Sequence, residues 1–283
     1  MRIPTDAEVV EAVALLETPR RDEAVRVLAR AGEVAIGPVL SLANAGDGGT
    51  RAAAIEVLGA VGGGDGTADG RLDVVIAGLG DADLFVRFAA VRAIARLKPA
   101  ARRLVAGLGS ADPMLRQATA GALGGLDVKD VVPDLIVAAS DPVAGVRGAA
   151  VTALGAHALD VVARALVDGD VVVRRAAVGV CRVKGLTPLA LRACAGDPDS
   201  QVRQYACDAL ARDPGAGPEL VAAFEAGESA AGRSLVALGH PAGERYIAAL
   251  EARAAAPHDP SVRPGEMDDV DAAVEMLVRF GRR

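Results

Sequence analysis

The histidines are the first residues to consider for catalysis or metal binding, because imidazole is a common general base and metal ligand. The chain has three of them: His157, His240 and His258. They are isolated, and none belongs to a His-Glu pair, a Ser-His-Asp order or a zinc-ligand spacing. We therefore expect no catalytic residue, no bound metal and no cofactor.

The spacing of the cysteines likewise does not match a metal-binding or redox motif. Cys181, Cys194 and Cys207 show no C-x-x-C spacing, and an odd number of cysteines cannot close into a complete set of disulfides. Free cysteine is often buried as a small hydrophobic side chain. We expect that role here, with metal binding or redox chemistry as the alternative.

A glycine-rich stretch at residues 62–70 could bind phosphate or calcium if its flanking residues were suitable. The Gly-Lys-Ser/Thr ending of a phosphate loop is missing, because Arg71 follows the last glycine. Asp65 and Asp69 match the opening of a calcium loop, but its twelfth position is Ile76 instead of glutamate. The stretch is therefore interpreted as a flexible linker.

The secondary structure that carries the histidines and cysteines is indicated by a sequence pattern that recurs six times. An arginine is followed three residues later by alanine or threonine, and seven residues later by a larger apolar residue. The arginines are Arg51, Arg87, Arg116, Arg147, Arg174 and Arg203, at intervals of 36, 29, 31, 27 and 29 residues. A period near 30 is typical of stacked helix pairs, since one pair cannot bury its apolar face alone.

The apolar spacing predicts the two helices of each pair. First helices are expected over 34–45, 71–79, 100–108, 131–139, 158–167, 186–195 and 217–226. Second helices are expected over 48–61, 84–97, 113–124, 144–156, 171–183, 200–212 and 229–239. A pair at 8–17 and 21–31 opens the array. The predicted domains are a repeat array over 1–240 and capping helices over 241–283, at about 242–256 and 267–280. In the alternative, the last helix packs on a partner.

Five aspartates lie four residues before the repeated arginines: Asp47, Asp83, Asp112, Asp170 and Asp199. An aspartate at that position can accept the free N–H groups that open the second helix. The fifth repeat departs from the pattern, because Asp141 lies six residues before Arg147.

The pattern Asp-x-x-Val-Arg-x-x-Ala-x-x-x-Leu, nearly complete at 83–94, 112–123, 170–181 and 199–210, resembles the HEAT repeat. It is most similar to the short bacterial type called PBS-lyase HEAT-like, and the resemblance covers about residues 8–240. It implies an all-α fold, a right-handed α-α superhelix of about eight helix pairs whose second helices line a concave face. It also implies a structural ladder between neighbouring pairs, formed by Asp83, Arg87, Asp112, Arg116, Asp170, Arg174, Asp199 and Arg203.

Helical geometry indicates which residues of that face point outward, namely those one and five positions after each arginine. The candidate partner-binding residues are Phe88, Arg92, Gln117, Gly121, Gly148, Thr152, Arg175, Gly179, Gln204 and Asp208. Bulky or charged residues stand at the ends of these rows, and small residues lie between them. Such a floor would let a partner backbone approach closely, and neutral drift in a glycine-rich chain is the alternative.

The net charge and its distribution along the chain limit the kinds of partner the protein can bind. The net charge of −6 opposes nonspecific binding of nucleic acid, although residues 84–128 carry seven bases and only two acids. Residues 1–83 carry seven bases and fourteen acids, and such uneven charge favours a protein partner. HEAT-like DNA glycosylases use tryptophan, which this chain lacks.

We therefore expect a noncatalytic, monomeric protein-binding scaffold rather than an enzyme. An enzyme-associated, lyase-like subunit holding a small ligand or prosthetic group is the second interpretation, and a nucleic-acid binder that uses 84–128 is the third. No apolar run of about 20 residues is present, and acids stand where a signal peptide would be basic. These features predict a cytoplasmic protein that does not associate with membranes.

Overall fold

The computed structural model describes residues 3–61 and 70–255, together with residues 275, 278 and 279. The regular structure across these residues consists of α-helices and short 3-10 segments, with no β-strand. The all-α prediction is therefore confirmed. The linker expected at 62–70, apart from Gly70, and most of the helix expected at 267–280 lie outside the described residues.

The chain divides into two compact units, residues 1–161 and 162–283. The first unit contains α1 (Asp6–Leu15), α2 (Arg21–Ala31), α3 (Ile36–Ala45), α4 (Gly48–Ala60), α5 (Arg71–Gly78), α6 (Leu84–Leu97), α7 (Pro113–Leu123), α8 (Val132–Ala138) and α9 (Ala144–Leu154). The boundary falls within α10 (Leu159–Ala165). The second unit contains α11 (Val171–Lys184), α12 (Ser200–Leu210), α13 (Gly217–Glu225), α14 (Ser229–Ala237) and α15 (Gly243–Ala254). The predicted division at residue 240 stays a prediction.

Within each unit the second helices pack side by side. In the first unit α2, α4, α6, α7 and α9 form this row, and in the second unit α11, α12 and α14 do so, with α15 packed on α14. The first helices α1, α3, α5, α8 and α13 each pack on the second helix of their own pair. This is the two-helix repeat that the period of about 30 predicts.

The recurring pattern is the buried part of each repeat. Its alanine or threonine positions are Ala54, Ala90, Thr119, Ala150, Ala177 and Ala206, and all of them are buried. Its larger positions, from Leu58 to Leu210, are equally buried. Small side chains permit close packing: a Cβ added at Gly59 would lie 2.5 Å from the Cα of Ala93. Cores of this composition need few aromatic residues, which explains why the chain has so few.

The five aspartates cap the second helices as expected. The carboxylates of Asp47, Asp83, Asp112, Asp170 and Asp199 accept backbone N–H groups in the first turns of α4, α6, α7, α11 and α12. The donor–acceptor distances are 2.7–3.0 Å. Each cap satisfies a backbone donor that has no partner inside its helix.

Two of the expected first helices are 3-10 segments instead, at 101–103 with 105–109 and at 189–196. The segment 105–109 contains two glycines, which disfavour an α-helix. Gly107 lies against the hydroxyl group of Thr119, and a Cβ at residue 107 would collide with it. The close approach of these elements therefore requires glycine at a position where helix propensity is lost.

The predicted helix at 242–256 is present as α15. Tyr246 and Leu250 are buried against Phe224 and Val236. The rings of Phe224 and Tyr246 meet edge to face, with their centroids 5.8 Å apart. The helix therefore covers the apolar side of the α13–α14 pair.

Candidate interaction surface on the second helices

Three repeated arginines each make a bidentate ion pair with an acid of the following repeat. The pairs are Arg51–Asp81, Arg116–Asp141 and Arg174–Asp197, with N–O distances of 2.7–3.1 Å. Arg203 pairs with Glu228 of the following repeat through one hydrogen bond, from its Nε to a carboxylate oxygen at 3.2 Å. A planar guanidinium and a carboxylate match in this geometry, which makes the contact specific as well as strong.

The acids of these pairs differ from the aspartates that the repeat pattern suggested. Asp81, Asp141 and Asp197 each lie two residues before the N-cap residue of their repeat and also accept its N–H, at 2.8 Å. Asp141, which departs from the pattern, is thus the partner of Arg116. The aspartates of the expected ladder act as caps, and the Asp-x-Asp sequence at 81–83 and at 197–199 could have distinguished the two roles.

Arg87 shows what happens when the second acid is missing. The corresponding position of the next repeat is Ser110. Arg87 donates to the carbonyl oxygens of Asp81 and Ala82, at 2.7 and 3.0 Å. Arg116 makes the equivalent carbonyl contacts in addition to its ion pair. The carbonyl contacts are therefore common to these repeats, and the ion pair is added where an acid is available.

Electrostatics agree with a structural role for the paired acids. The hydrogen bond from Arg51 lowers the pKa of Asp81, and the one from Arg116 lowers the pKa of Asp141, in both cases against the effect of burial. Burial is the largest influence on Asp197 and raises its pKa, but Arg174 and the N–H of Asp199 together reverse that shift. These carboxylates are therefore ionised at neutral pH and already satisfied within the protein.

In the first unit, two aromatic side chains of α6 are exposed. Phe85 is 73% exposed and Phe88 is 59% exposed. They line an open cavity of about 570 Å³ between α2, α4 and α6, together with Ala52, Ala53 and Val91. We call these five residues the aromatic surface. Phe88 was predicted to point outward, whereas Phe85 was missed because it lies two residues before the ladder arginine, outside the two rows considered.

Polar residues border the aromatic surface. Arg92, also predicted as a site residue, forms an ion pair with Glu56 of α4 and remains 60% exposed. Arg21 and Asp22 of α2 line the same cavity. An apolar centre with a charged margin is the usual composition of a protein-binding patch.

The other candidates in the first unit differ from one another. The side-chain amide of Gln117 lies against Gly145, and a Cβ at Gly121 would meet no atom within 4 Å. Thr152 is exposed and donates to the carbonyl oxygen of Gly148, at 2.9 Å. Gly148 itself is buried, so its predicted place on an outward floor is wrong. Helical angles alone could not show this, because the burial of a glycine depends on neighbouring elements.

In the second unit, the outward candidates are mostly paired within the protein. Arg175 forms a bidentate ion pair with Asp199, at 3.0 and 2.5 Å, which lowers the pKa of Asp199 to about 2. Asp208 lies 3.5 Å from Arg233. Gln204 is exposed, and Gly179 would accept a Cβ without any contact within 4 Å. That these ten candidates bind a partner stays a prediction.

The three cysteines and the possible metal-binding groups were the chemical sites considered from the sequence. Cys181, Cys194 and Cys207 are buried as expected, and burial raises the pKa of their thiols to about 11, 12 and 12. Across the described residues no group of three or more His, Cys, Asp or Glu side chains is placed to hold a metal ion. None of the helices described is both long and apolar enough to span a bilayer.

Comparison with known proteins supports the repeat architecture. Residues 101–180 match the family of HEAT repeats. The X-ray structure of YibA from Escherichia coli is similar in fold, with a TM-score of 0.55 and 19% identity over 83% of this chain and 93% of that one. A structure of Kap95p with RanGDP contains a similar chain, with a TM-score of 0.60 and 14% identity over 96% of this chain and 41% of that one. No curated protein matches the chain in sequence. Residues 101–180 therefore contain HEAT repeats, and the similar structures show that the chain as a whole has an all-helical repeat fold.

Proposed function

We propose that this protein is a noncatalytic scaffold that binds a protein partner through the aromatic surface of its first unit. The observation that carries the proposal is the exposure of Phe85 and Phe88 beside an open cavity. The chain has four phenylalanines in 283 residues, so two adjacent exposed ones are a large share. Exposed apolar patches mark binding sites, and aromatic residues carry much of the energy of protein interfaces.

Charge supports a protein partner over nucleic acid. The basic segment 84–128 was the reason for considering a phosphate backbone, but several of its arginines are matched by acids from other segments. The pairs are Arg92–Glu56, Arg102–Asp134, Arg103–Asp73 and Arg116–Asp141. Because phosphate binding depends on cations that can release counterions, pairing inside the protein weakens it. The similar chain in the Kap95p–RanGDP structure also comes from a complex between proteins.

The finer part of the proposal concerns the extent of the site. The partner contacts the outward rows of the second helices, with Phe88 and Arg92 at one margin and Gln117 and Gly121 beyond them. The row in the second unit, Arg175, Gly179, Gln204 and Asp208, contributes less affinity because its charges are already paired. Gly148 is excluded because it is buried.

Site-specific photo-crosslinking tests this function. A photoreactive phenylalanine analogue at residue 88 should crosslink one discrete protein in a lysate of the source cells. The same analogue at residue 137 is the matched control, because Val137 is at least as exposed as Phe88 but lies on the first helix α8. The crosslinked protein, once purified, should lose at least tenfold in affinity for Phe88→Ala. Equal crosslinking from both positions, or an unchanged affinity, would contradict the proposal.

A further inference from the structure

We propose that the aromatic surface takes an extended peptide segment in which apolar side chains are followed by acidic ones, running along α6. This inference rests on the proposed function and specifies the chemistry of the partner. It is carried by the order of residues on the exposed face of one helix, and by the charges there that the protein leaves unmatched.

The exposed face of α6 is a continuous stripe. Phe85, Phe88, Arg92 and Arg96 are spaced by three, four and four residues, which places them one above another on the same side of the helix. All four are exposed. With a rise of 1.5 Å per residue, the stripe is about 16 Å long. Its aromatic half lies at the start of the helix and its basic half at the end.

The aromatic half is shaped to receive side chains. Ala52 and Ala53 of α4 have short side chains, and together with the rings of Phe85 and Phe88 they line the open cavity. Leu84, which directly precedes Phe85 in α6, is also exposed and adds apolar area. A site of this kind gains affinity by removing apolar area from water, and it has few polar groups that need partners.

The basic half carries charge that is not neutralised. Arg92 pairs with Glu56 yet stays largely exposed. In the described part of the chain, Arg96 has no carboxylate within ion-pair distance, and it is exposed. A base near the end of α6 also complements the negative end of the helix dipole, which stabilises the helix and leaves the charge facing water. Acidic side chains on a bound peptide would complete these contacts and fix the direction of binding.

The length of the stripe sets the spacing in the ligand. An extended peptide advances about 3.3 Å per residue, so about five residues cover the distance from Phe85 to Arg96. Two apolar residues at one end and acidic residues two to five positions later would meet the two halves together. A peptide with the opposite order would place its acids against the phenylalanine rings.

Synthetic peptides test the inference on the full chain. The probe is a fluorescein-labelled peptide, Gly-Leu-Leu-Gly-Asp-Glu-Asp-Gly, followed by fluorescence anisotropy. Its controls are the same peptide with Asn and Gln for the acids, and the peptide of reversed order. The acidic peptide should bind at least tenfold more tightly than either control at low salt. The advantage over the amide peptide should shrink at high salt, where charges are screened.

Variants separate the two halves of the stripe. Phe88→Ala should weaken both the acidic and the amide peptide, whereas Arg96→Glu should remove only the preference for the acidic one. Val137→Ala and Arg103→Glu are matched controls on exposed first-helix positions of the same unit. They should leave binding unchanged. Circular dichroism melting verifies that each variant is folded, and since all four side chains are exposed we expect no loss of structure.

Several outcomes would overturn the inference. Equal affinity for the acidic and amide peptides would remove the charge requirement. Absence of peptide binding, with crosslinking from residue 88 still specific, would reject this ligand and leave the proposed scaffold function standing. A dimer in light scattering that Phe88→Ala dissociates would identify a second copy of the chain as the occupant instead. Loss of specific crosslinking alone would reject the scaffold proposal.

Discussion

The outward faces of the second helices differ between the two units, although the helices are built on the same repeat. In the first unit, α6 exposes Phe85 and Phe88 beside an open cavity. In the second unit, Arg175 is paired with Asp199, and the guanidinium of Arg182 lies 4.2 Å from the ring centroid of Tyr205. None of the described residues of the first unit covers the rings of Phe85 and Phe88, whereas the charged outward residues of the second unit, Arg175 and Asp208, are paired within the protein.

This difference shows which positions the fold leaves free. Both units bury the same positions of the recurring pattern, and both contain the arginine–acid pairs between repeats. The outward positions lie outside that buried pattern and, apart from the buried Gly148, most of them are not fixed by packing within the repeat. Exposed aromatic residues at such positions are therefore the basis of the binding site proposed above.

The largest expected effect is on stability, and it tests the arginine–acid pairs that both units contain. Arg174→Ala leaves the buried Asp197 without its guanidinium partner, and Arg51→Ala does the same to Asp81. We expect each change to lower the free energy of unfolding by about 1–3 kcal/mol, because a buried acceptor loses a charged donor. Urea denaturation measures this. Arg87→Ala, which removes only contacts to carbonyl oxygens, is the control and should cost less. If only one of the two variants lowers the free energy of unfolding, the arginine–acid pairs do not stabilise both units.

The next effect is on partner binding, and it tests the exposed aromatic residues that, in the described part of the chain, only the first unit has on its second helices. Phe88→Ala should weaken binding of the crosslinked partner at least tenfold, about 1.4 kcal/mol, while Gln204→Ala at the corresponding position of the second unit should not. Both side chains are exposed, so neither change should shift the melting temperature. Isothermal titration calorimetry makes the comparison. Equal losses from both variants would mean that the second unit contributes as much affinity as the first.

Acidic pH should lower the stability of both units, because the carboxylates of their arginine–acid pairs become protonated. The pKa values of Asp81, Asp141 and Asp197 are lowered by their arginines. A carboxylate with a lowered folded pKa adds stability above its unfolded pKa of about 4, and that stability is lost as the pH falls further. The melting temperature should therefore hold above about pH 5 and fall steeply toward pH 2. In Arg174→Ala the fall should be shallower, and an unchanged slope would contradict the assignment of Asp197.

The smallest effect compares two exposed glycines. Gly121→Ala in the first unit and Gly179→Ala in the second add a Cβ that meets no atom within 4 Å. Each should raise the free energy of unfolding by about 0.5–1 kcal/mol, because alanine favours the helix. If the partner backbone passes over α7, only Gly121→Ala should also weaken binding. Thermal melts and titrations of the two variants make the comparison, and equal binding by both would attribute the glycines to drift.

The amino-acid sequence by itself determined the helices, their pairing and most of the buried positions. These depend on interactions within a few residues: apolar spacing near 3.6 residues, aspartates that cap the N–H groups two or three positions ahead, and a period near 30. The second helices accordingly begin within one residue of their predicted starts, as α6 and α12 do.

Only the tertiary structure decided the contacts between repeats. Arg51 and Asp81 are 30 residues apart and Arg174 and Asp197 are 23 apart, so which of two nearby acids each arginine reaches depends on how neighbouring pairs stack. The burial of Gly148, the 3-10 form of residues 105–109 beside Thr119 and the exposure of Phe85 have the same origin. Each is set by the distance to an adjacent element, and local periodicity carries no information about that distance.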